Sequence, residues 1–353
     1  MGTRHAPSIS DVARAAGVSM GTVSNVLNGT ARVAPATRER VEAAIASLGF
    51  VRNGVARSLA AGRSTTLGFV IIDLSNSYFL DIARGAEEAA GTAGLNLLLA
   101  NSDLSEDKQR TYFDLFVEER VAGILIAANH GSTQDLHHSA RGLPVVLVDA
   151  PGDHSDICSV VPDNELGGYL AASHVIEQGR TRLLFAGTTE LVPVRDRLAG
   201  VERAVAEHPG VSLEVERTHD VRVEDGRRVG DEIAARTADL RPDAVVAAAD
   251  LLALGVLQSV LVGSSLRVPQ DLAIIGYDDN RAAWDSTIPL STVRQPGEEI
   301  GREATKLLLE EMNAATSSGH RHRLVTCQPQ LIARPSTVGW AARQAITVRS
   351  APG

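Results

Sequence analysis

The sequence predicts an N-terminal all-α helix-turn-helix head, followed by an α/β body made of two doubly wound parallel-sheet subdomains. Short helical patterns fill the first 50 residues, apolar runs of strand length alternate with helical patterns from Thr65 onward, and a basic start precedes an acidic remainder. Continuous apolar strands separated by helices indicate parallel sheets covered on both faces. The predicted boundaries are residues 1–50 for the head, 51–64 for a linker, 65–336 for the body and 337–353 for a C-terminal tail.

The head contains three predicted helices. Gly17 is a stop signal for the first helix, Ser19 can cap the second, and Pro35 fits the first turn of the third. In the second helix Val23, Val26 and Leu27 should face inward. That leaves an outer face for solvent or a groove, made of Met20, Gly21, Thr22, Ser24, Asn25 and Asn28. Two short helices joined by a tight turn make DNA the first partner to consider.

Charge supports this interpretation of the head. Residues 1–64 carry eight arginines against three acidic residues, a balance of +5, which leaves −14 for the rest of a chain whose net charge is −9. Only the head can therefore approach phosphates favourably. An ordinary three-helix bundle with a solvated basic face is the alternative.

Composition predicts a soluble globular protein with no membrane span. The chain has 353 residues, 44% of them hydrophobic, and no apolar run of about eighteen residues. The N-terminus lacks the apolar stretch of a signal peptide, so we expect a cytoplasmic protein. Cys158 and Cys327 lack metal-ligand spacing, and we expect both to be small buried hydrophobes rather than a disulfide or a site. No cofactor or metal is expected.

Two βα units in series form the predicted body. The first unit ends near Pro162 and the second starts near Asn164, so the subdomains should comprise residues 65–162 with about 293–325, and about 163–292. Ligands of such folds bind beyond the carboxyl ends of the strands. Polar residues follow the strands there: Asp73, Asn101, Asp103, Asp149, Thr188, Asp250, Asp278 and Asp279. Each alone is also a common turn residue, but their repetition favours a cleft.

Motifs along most of the chain resemble those of the LacI/GalR family of bacterial transcription regulators. The resemblance covers residues 8–336 in the family's order, and it is carried by Ser10-Asp11-Val12-Ala13, Ala16-Gly17-Val18-Ser19, Thr22-Val23-Ser24, Ala56-Arg57-Ser58-Leu59, Arg197-Leu198-Ala199-Gly200, Gly276-Tyr277-Asp278-Asp279 and Thr292-Val293-Arg294-Gln295-Pro296. It implies a dimeric repressor whose body is periplasmic-binding-protein-like.

The resemblance also implies the DNA contacts. The second helix would enter the major groove, and residues 53–60 would form a hinge helix only on operator DNA, with Leu59 wedged between central base pairs. Burial of Leu59 in the body is the alternative. The matching positions are Ser10, Ser19, Met20, Gly21, Thr22, Ser24, Asn25, Asn28, Arg32, Asn53, Ala56, Arg57 and Leu59.

One head position and two hinge positions depart from the family pattern. Asn25 stands where arginine is usual, and asparagine pairs bidentately with adenine whereas arginine prefers guanine. We therefore expect an altered operator base there. Gly21 can make no side-chain contact to a base. Arg52 replaces a proline and Gly54 replaces a better helix former, so the hinge should be harder to fold without DNA.

The resemblance implies an effector site as well. Arg197 and Asp278 match the residues that bind a polar effector, although Arg197 has a structural alternative, pairing with a nearby carboxylate. Tyr78 and Phe79 match a loop that covers the ligand. Asp149 and Asp250 are further candidates that could instead cap helices, and Val221 stands where some members place an aromatic platform. Trp284 could replace that platform or simply pack.

The expected function is repression of carbohydrate-utilisation genes. The homodimer would bind a double-stranded pseudo-palindromic operator and be released by a small-molecule inducer, a sugar. The alternatives are a ligand-binding protein of periplasmic type and a regulator with a corepressor such as a purine. An enzyme is not expected, because the sequence offers no nucleophile with a base, metal cluster or phosphate loop. The tail carries no leucine heptads and gives no basis for the tetramer-forming helix of some family members, so a dimer is the default expectation.

Overall fold

The computed structural model describes residues 7–29, 32–50, 64–127, 140, 142–152, 156–314 and 320–340. The chain divides into two compact units, residues 1–64 and residues 65–353. No helix within these described ranges is long and apolar enough to cross a membrane.

The first unit contains three helices with the predicted end signals. They are α1 (Ile9–Ala16), α2 (Met20–Asn28) and α3 (Pro35–Leu48). Gly17 ends α1 in the left-handed region at φ 64°, and the Ser19 hydroxyl accepts a hydrogen bond of 3.1 Å from the backbone N–H of Thr22. Pro35 occupies the first turn of α3. These local predictions are confirmed, because each depends on residues within a few positions of the helix end.

A small core joins the three helices. Val12, Val23 and Val41 are fully buried in it, one from each helix. Val26 is also buried, and Leu27 packs against the same cluster, as the helical spacing predicts. Ser8 forms a capping box at the start of α1, which the sequence analysis did not predict. The Ser8 hydroxyl accepts from the backbone N–H of Asp11, and the backbone N–H of Ser8 donates to the Asp11 carboxylate.

The second unit has two lobes, each built on a parallel sheet. The first-lobe elements are β1 (Thr66–Ile71), α4 (Ser77–Thr92), β2 (Asn96–Asn101), α5 (Glu106–Glu118), β3 (Ile124–Ala127), β4 (Val145–Val148), β5 (Cys158–Pro162), α11 (Gly297–Ala314) and β11 (Leu324–Cys327). The second-lobe elements are α6 (Asn164–Glu177), β6 (Arg182–Gly187), α7 (Val192–Ala206), β7 (Ser212–Arg217), α8 (Val223–Ala235), β8 (Ala244–Ala247), α9 (Asp250–Gly263), β9 (Ala273–Ile275) and α10 (Arg281–Trp284). The sheet of the first lobe has the order β11-β5-β4-β3-β1-β2, and the sheet of the second lobe has the order β7-β6-β8-β9.

The chain crosses between the lobes three times. It passes from β5 to α6, returns through β10 (Thr292–Arg294) to α11, and leaves again from β11 to β12 (Gln330–Ile332), which pairs antiparallel with β10. The doubly wound fold class is confirmed. The sequence analysis predicted no strand at β5, β7, β10, β11 or β12. In β7 the charged residues Glu214, Glu216 and Arg217 interrupt what would otherwise be an apolar run.

Glycines allow pairs of helices to approach closely. In α7 a Cβ on Gly200 would overlap the carbonyl of Glu165 in α6, and in α6 a Cβ on Gly168 would overlap the carbonyl of Arg197 in α7. The two helices therefore touch backbone to backbone. This contact places α7, and with it Arg197, at a defined depth over the second sheet.

Candidate functional site

A cavity lies between the two lobes. Its lining comes from segments that follow the carboxyl ends of strands in both sheets. Ile72 and Asp73 follow β1, Asp149 follows β4, Val221 follows β7, and Asp278 follows β9. This is the edge where parallel-sheet proteins bind ligands.

The cavity brings together most of the residues predicted for the effector. The predicted lining residues are Tyr78, Phe79, Asp149, Arg197, Val221 and Asp278. Asp250 does not line the cavity: its side chain is fully buried, and its Oδ2 accepts a hydrogen bond of 2.6 Å from the backbone N–H of Asn280. Trp284 is not a lining residue either, and its indole N–H donates to Asp279 at 2.6 Å.

Arg197 is held by its own lobe. Its Nε donates to Asn164 Oδ1 at 2.8 Å, its Nη1 donates to the carbonyl of Ala248 at 2.6 Å, and its guanidinium lies 3.7 Å from the centre of the Tyr277 ring. Burial opposes its charge, but Tyr277, Asp278 and Asp149 outweigh burial and raise the pKa of Arg197. Arg197 therefore combines the structural role left open by the sequence with a position at the cavity wall.

Asp278 connects the two lobes. Its Oδ2 accepts a hydrogen bond of 2.8 Å from Asn76 of the first lobe, and its Oδ1 accepts one of 2.6 Å from Gln295. Its backbone has φ 109°, which is strained for a residue other than glycine. Burial raises the pKa of Asp278, partly opposed by Arg197, whose Nη1 lies 3.8 Å from Oδ1.

Asp149 is the cavity carboxylate with an unsatisfied oxygen. Its side chain is buried, its backbone is left-handed at φ 55°, and Oδ1 has no hydrogen-bond partner among the described residues. Burial raises the pKa of Asp149 to about 7. The Tyr78 hydroxyl and Gln295 Oε1, which belong to the same lining, also lack a partner within the described part of the chain. Unsatisfied buried polar atoms call for an explanation, and a bound ligand would supply their partners.

More hydrogen bonds span the lobes beside the cavity. Asn280 Nδ2 donates to Asn76 Oδ1 at 3.2 Å, the backbone N–H of Arg281 donates to the Ser77 hydroxyl at 3.1 Å, and the Arg281 guanidinium donates to Asp81 at 2.7 Å. The sequence analysis gave no role to these residues or to Gln295. Gln295 lay within a family motif, whereas the Arg281–Asp81 pair joins positions 200 residues apart and had no sequence signal.

The head presents the start of α2 to solvent. Ser19, Gly21 and Met20 are exposed, Met20 by 54%, while Ser24 and Asn25 are half-buried. The Thr22 hydroxyl lies 2.9 Å from that of Ser19, and the Ser10 hydroxyl lies 2.7 Å from that of Ser8. Arg32 is exposed and Asn28 is the last residue of α2. The hinge predictions at Arg52, Asn53, Gly54, Ala56, Arg57 and Leu59 lie outside the described residues.

Two family models match the chain. The model described as "Bacterial regulatory proteins, lacI family" matches residues 8–53, and the model described as "Periplasmic binding protein-like domain" matches residues 172–337. These segments contain the helices of the first unit and most of the second lobe.

Curated relatives match over nearly their whole length. The "HTH-type transcriptional repressor PurR" of Aliivibrio fischeri is 32% identical over 336 residues, covering 93% of this chain and 97% of the relative. The protein of the same name from Vibrio parahaemolyticus is 34% identical, covering 92% of this chain and 97% of the relative.

Solved structures agree with this assignment. The lac repressor dimer bound to operator and the anti-inducer ONPF is 26% identical with a TM-score of 0.79, covering 94% of this chain and 99% of that one. A complex of the transcriptional regulator CelR with cellobiose is 30% identical with a TM-score of 0.69 and the same coverage. The chain therefore belongs to the LacI/GalR family of bacterial transcription regulators, and it is a DNA-binding repressor and not an enzyme.

Proposed function

We propose that this repressor is controlled by an uncharged, hydroxyl-rich ligand, a sugar, bound between the lobes. The observation that carries the proposal is the unsatisfied Oδ1 of Asp149 in a cavity that also contains Asp278. Carboxylates accept hydrogen bonds from ligand hydroxyls, and each oxygen of Asp278 can accept a further bond beside those from Asn76 and Gln295.

Charge favours an unphosphorylated ligand. Four lining residues are carboxylic acids, Asp73, Asp149, Asp220 and Asp278, against the two arginines Arg197 and Arg222. Arg197 already donates to Asn164 and Ala248, which leaves it less able to hold a phosphate. Arg222 likewise donates to Asp220 at 2.9 Å, so the lining offers a phosphate no unengaged cation, whereas a neutral sugar finds hydrogen-bonding partners.

Apolar walls complete the proposed site. Ile72, Phe79, Val194, Val221 and Leu251 lie around the carboxylates. Such surfaces pack against the C–H faces of a sugar ring. The cellobiose bound by the 30% identical regulator CelR supports this ligand class. Phe79 also offers an aromatic ring that could stack on a nucleobase, so a purine corepressor is the second candidate.

Control of DNA binding would follow from closure of the lobes. A ligand that contacts both Asp149 and Asp278 spans the first and second lobes, and it would favour the arrangement in which Asn76 reaches Asp278. If the ligand binds more tightly to the lobe arrangement that does not bind operator, ligand binding weakens operator affinity. By linkage, operator binding then weakens ligand affinity by the same factor. We propose that the active species is a homodimer, because a two-fold axis matches the symmetry of a pseudo-palindromic operator.

Thermal unfolding against a ligand panel tests this function. The panel holds pentoses, hexoses, disaccharides, sugar phosphates, nucleosides and purines, and a ligand at about 100 times its Kd should add about 2.7 kcal/mol of stability. A neutral sugar should raise Tm. Asp149→Asn should lose that shift, while the surface variant Asp271→Asn should keep it.

Operator binding then tests the direction of control. Fluorescence anisotropy on operator DNA should show affinity that falls with rising salt, because counterions are released from phosphates. The sugar hit should weaken operator binding in the wild type and leave it unchanged in Asp149→Asn. A purine that strengthens operator binding would refute sugar induction in favour of a corepressor. Salt-independent DNA binding would refute the role of the basic head.

A further inference from the structure

A cluster of metal-ligating side chains lies at the end of the first-lobe sheet opposite the cavity. Cys158 is the first residue of β5, so it lies at the amino end of a parallel strand, whereas the cavity lies beyond the carboxyl ends. Its Sγ is 3.1 Å from His320 Nε2 and 3.8 Å from His322 Nδ1. All three ligand atoms lie within 4.8 Å of one another. This site plays no part in the proposed effector function.

The sheet positions the two histidines. They lie in the segment that leads directly into β11, where the backbone N–H of Ser159 donates to the carbonyl of Arg323 at 3.1 Å. Leu324 then pairs in register with Ser159. Side chains two positions apart on an extended chain share one side, so the spacing of His320 and His322 lets both rings face the sulfur. The rings lie edge to face, with their centres 4.9 Å apart.

The geometry is close to that of a zinc site. Zinc binds thiolate sulfur at about 2.3 Å and imidazole nitrogen at about 2.0–2.1 Å, so a tetrahedral site places sulfur about 3.6 Å from each nitrogen. The two observed sulfur–nitrogen distances, 3.1 and 3.8 Å, lie on either side of that value. We propose that Cys158, His320 and His322 bind one zinc ion per chain, with water as the fourth ligand.

Sequence spacing could not reveal this site. Cys158 and His320 are 162 positions apart, so the ligands form no short motif. The expectation that Cys158 is buried is confirmed, and the structure places two histidines beside its sulfur that the spacing in the sequence did not indicate. The ion would cross-link β5 to the segment before β11, the outermost strand of the sheet. Zinc should therefore raise the Tm of the chelator-treated full-length protein.

Cobalt spectroscopy on the chelator-treated full-length protein tests the proposal. Co²⁺ should bind with a stoichiometry of one per chain and produce the thiolate-to-cobalt charge-transfer band, and Zn²⁺ should displace it. Cys158→Ser should remove the band, and His320→Gln should weaken Co²⁺ binding. His320 is half-buried, and circular dichroism checks that the His320→Gln variant keeps its fold.

Two matched variants control for the residue types. Cys327→Ser changes the other cysteine, which pairs in register with Pro162 at the opposite end of β5, about 13 Å from Cys158. His208→Gln changes a histidine of the second lobe. Both should keep the band and the zinc-dependent rise in Tm. A wild-type protein that gives no band, or a Cys158→Ser variant that retains it, would show that the three side chains form only a hydrogen-bonded cluster.

Discussion

Replacement of Asp149 by Asn should change how the stability of the body depends on pH. Burial raises the pKa of Asp149 to about 7, from an ordinary value of 3.8. Between about pH 4 and pH 7 the unfolded chain therefore ionises this group while the folded chain keeps it protonated. The folded state binds more protons over that window, so the contribution of Asp149 to stability is lost as pH rises through it.

The size of the effect follows from the shift. A difference of about three pKa units corresponds to about 4 kcal/mol at about 1.4 kcal/mol per unit, as an upper bound. Asn cannot ionise, and it tolerates the left-handed backbone that Asp149 adopts at φ 55°. Relative to the wild type, Asp149→Asn should therefore gain up to about 3 kcal/mol of stability from pH 5 to pH 8, because that range covers about two of the three pKa units.

Denaturant unfolding followed by tryptophan fluorescence measures this difference. The two tryptophans, Trp284 and Trp340, both belong to the unit formed by residues 65–353, so the signal reports that unit. Asp271→Asn is the control, because the hydrogen bond from Arg267 lowers the pKa of Asp271 to about 2, below the measured range. Its difference from the wild type should stay constant from pH 5 to pH 8. A constant difference for Asp149→Asn would refute the assignment of a buried, proton-binding carboxyl.

Three further predictions concern other parts of the molecule. In chemical unfolding, Gly200→Ala should destabilise the body by about 2 kcal/mol or more, because the added Cβ would overlap the backbone of α6. The control Gly91→Ala has open space around its Cβ, and it should stabilise α4 by about 0.5–1 kcal/mol. Arg281→Ala should weaken effector binding by up to about fivefold in calorimetry, because the half-exposed ion pair between Arg281 and Asp81 across the lobes contributes at most about 1 kcal/mol. The control Arg84→Ala breaks only the contact with Asp81 within α4, and it should leave the effector affinity unchanged. Asn25→Arg should shift the preferred operator base from adenine to guanine in selection from random DNA, and unchanged site preferences would argue against base contact at this position.

The helices of the head were predictable because their signals are local. A cap such as Ser19 and a stop such as Gly17 act on backbone groups within one turn, so the residues that decide the helix end are neighbours in sequence. The parallel sheets were predictable for a related reason, since strands covered on both faces must be apolar along their length. The strands of the sheet edge were missed where one face meets solvent, as in Ser212–Arg217.

The site was predicted in outline, and tertiary structure decided its details. Asp149 and Asp250 both follow strands and looked equivalent in the sequence, but Asp149 lines the cavity while Asp250 turns inward to accept from Asn280. The direction of a side chain at a strand end depends on the backbone that the surrounding lobe imposes, as the left-handed φ of Asp149 illustrates.

The sequence by itself determined the elements, their parallel arrangement and the edge at which polar residues gather, because these follow from local conformation and from the burial of apolar strands. Only the tertiary structure decided which side chains meet across long separations. Arg281 reaches Asp81, and His320 reaches Cys158, through the crossings of the chain between lobes and the register of neighbouring strands. Such contacts depend on the packing of whole elements, and no spacing in the sequence encodes them.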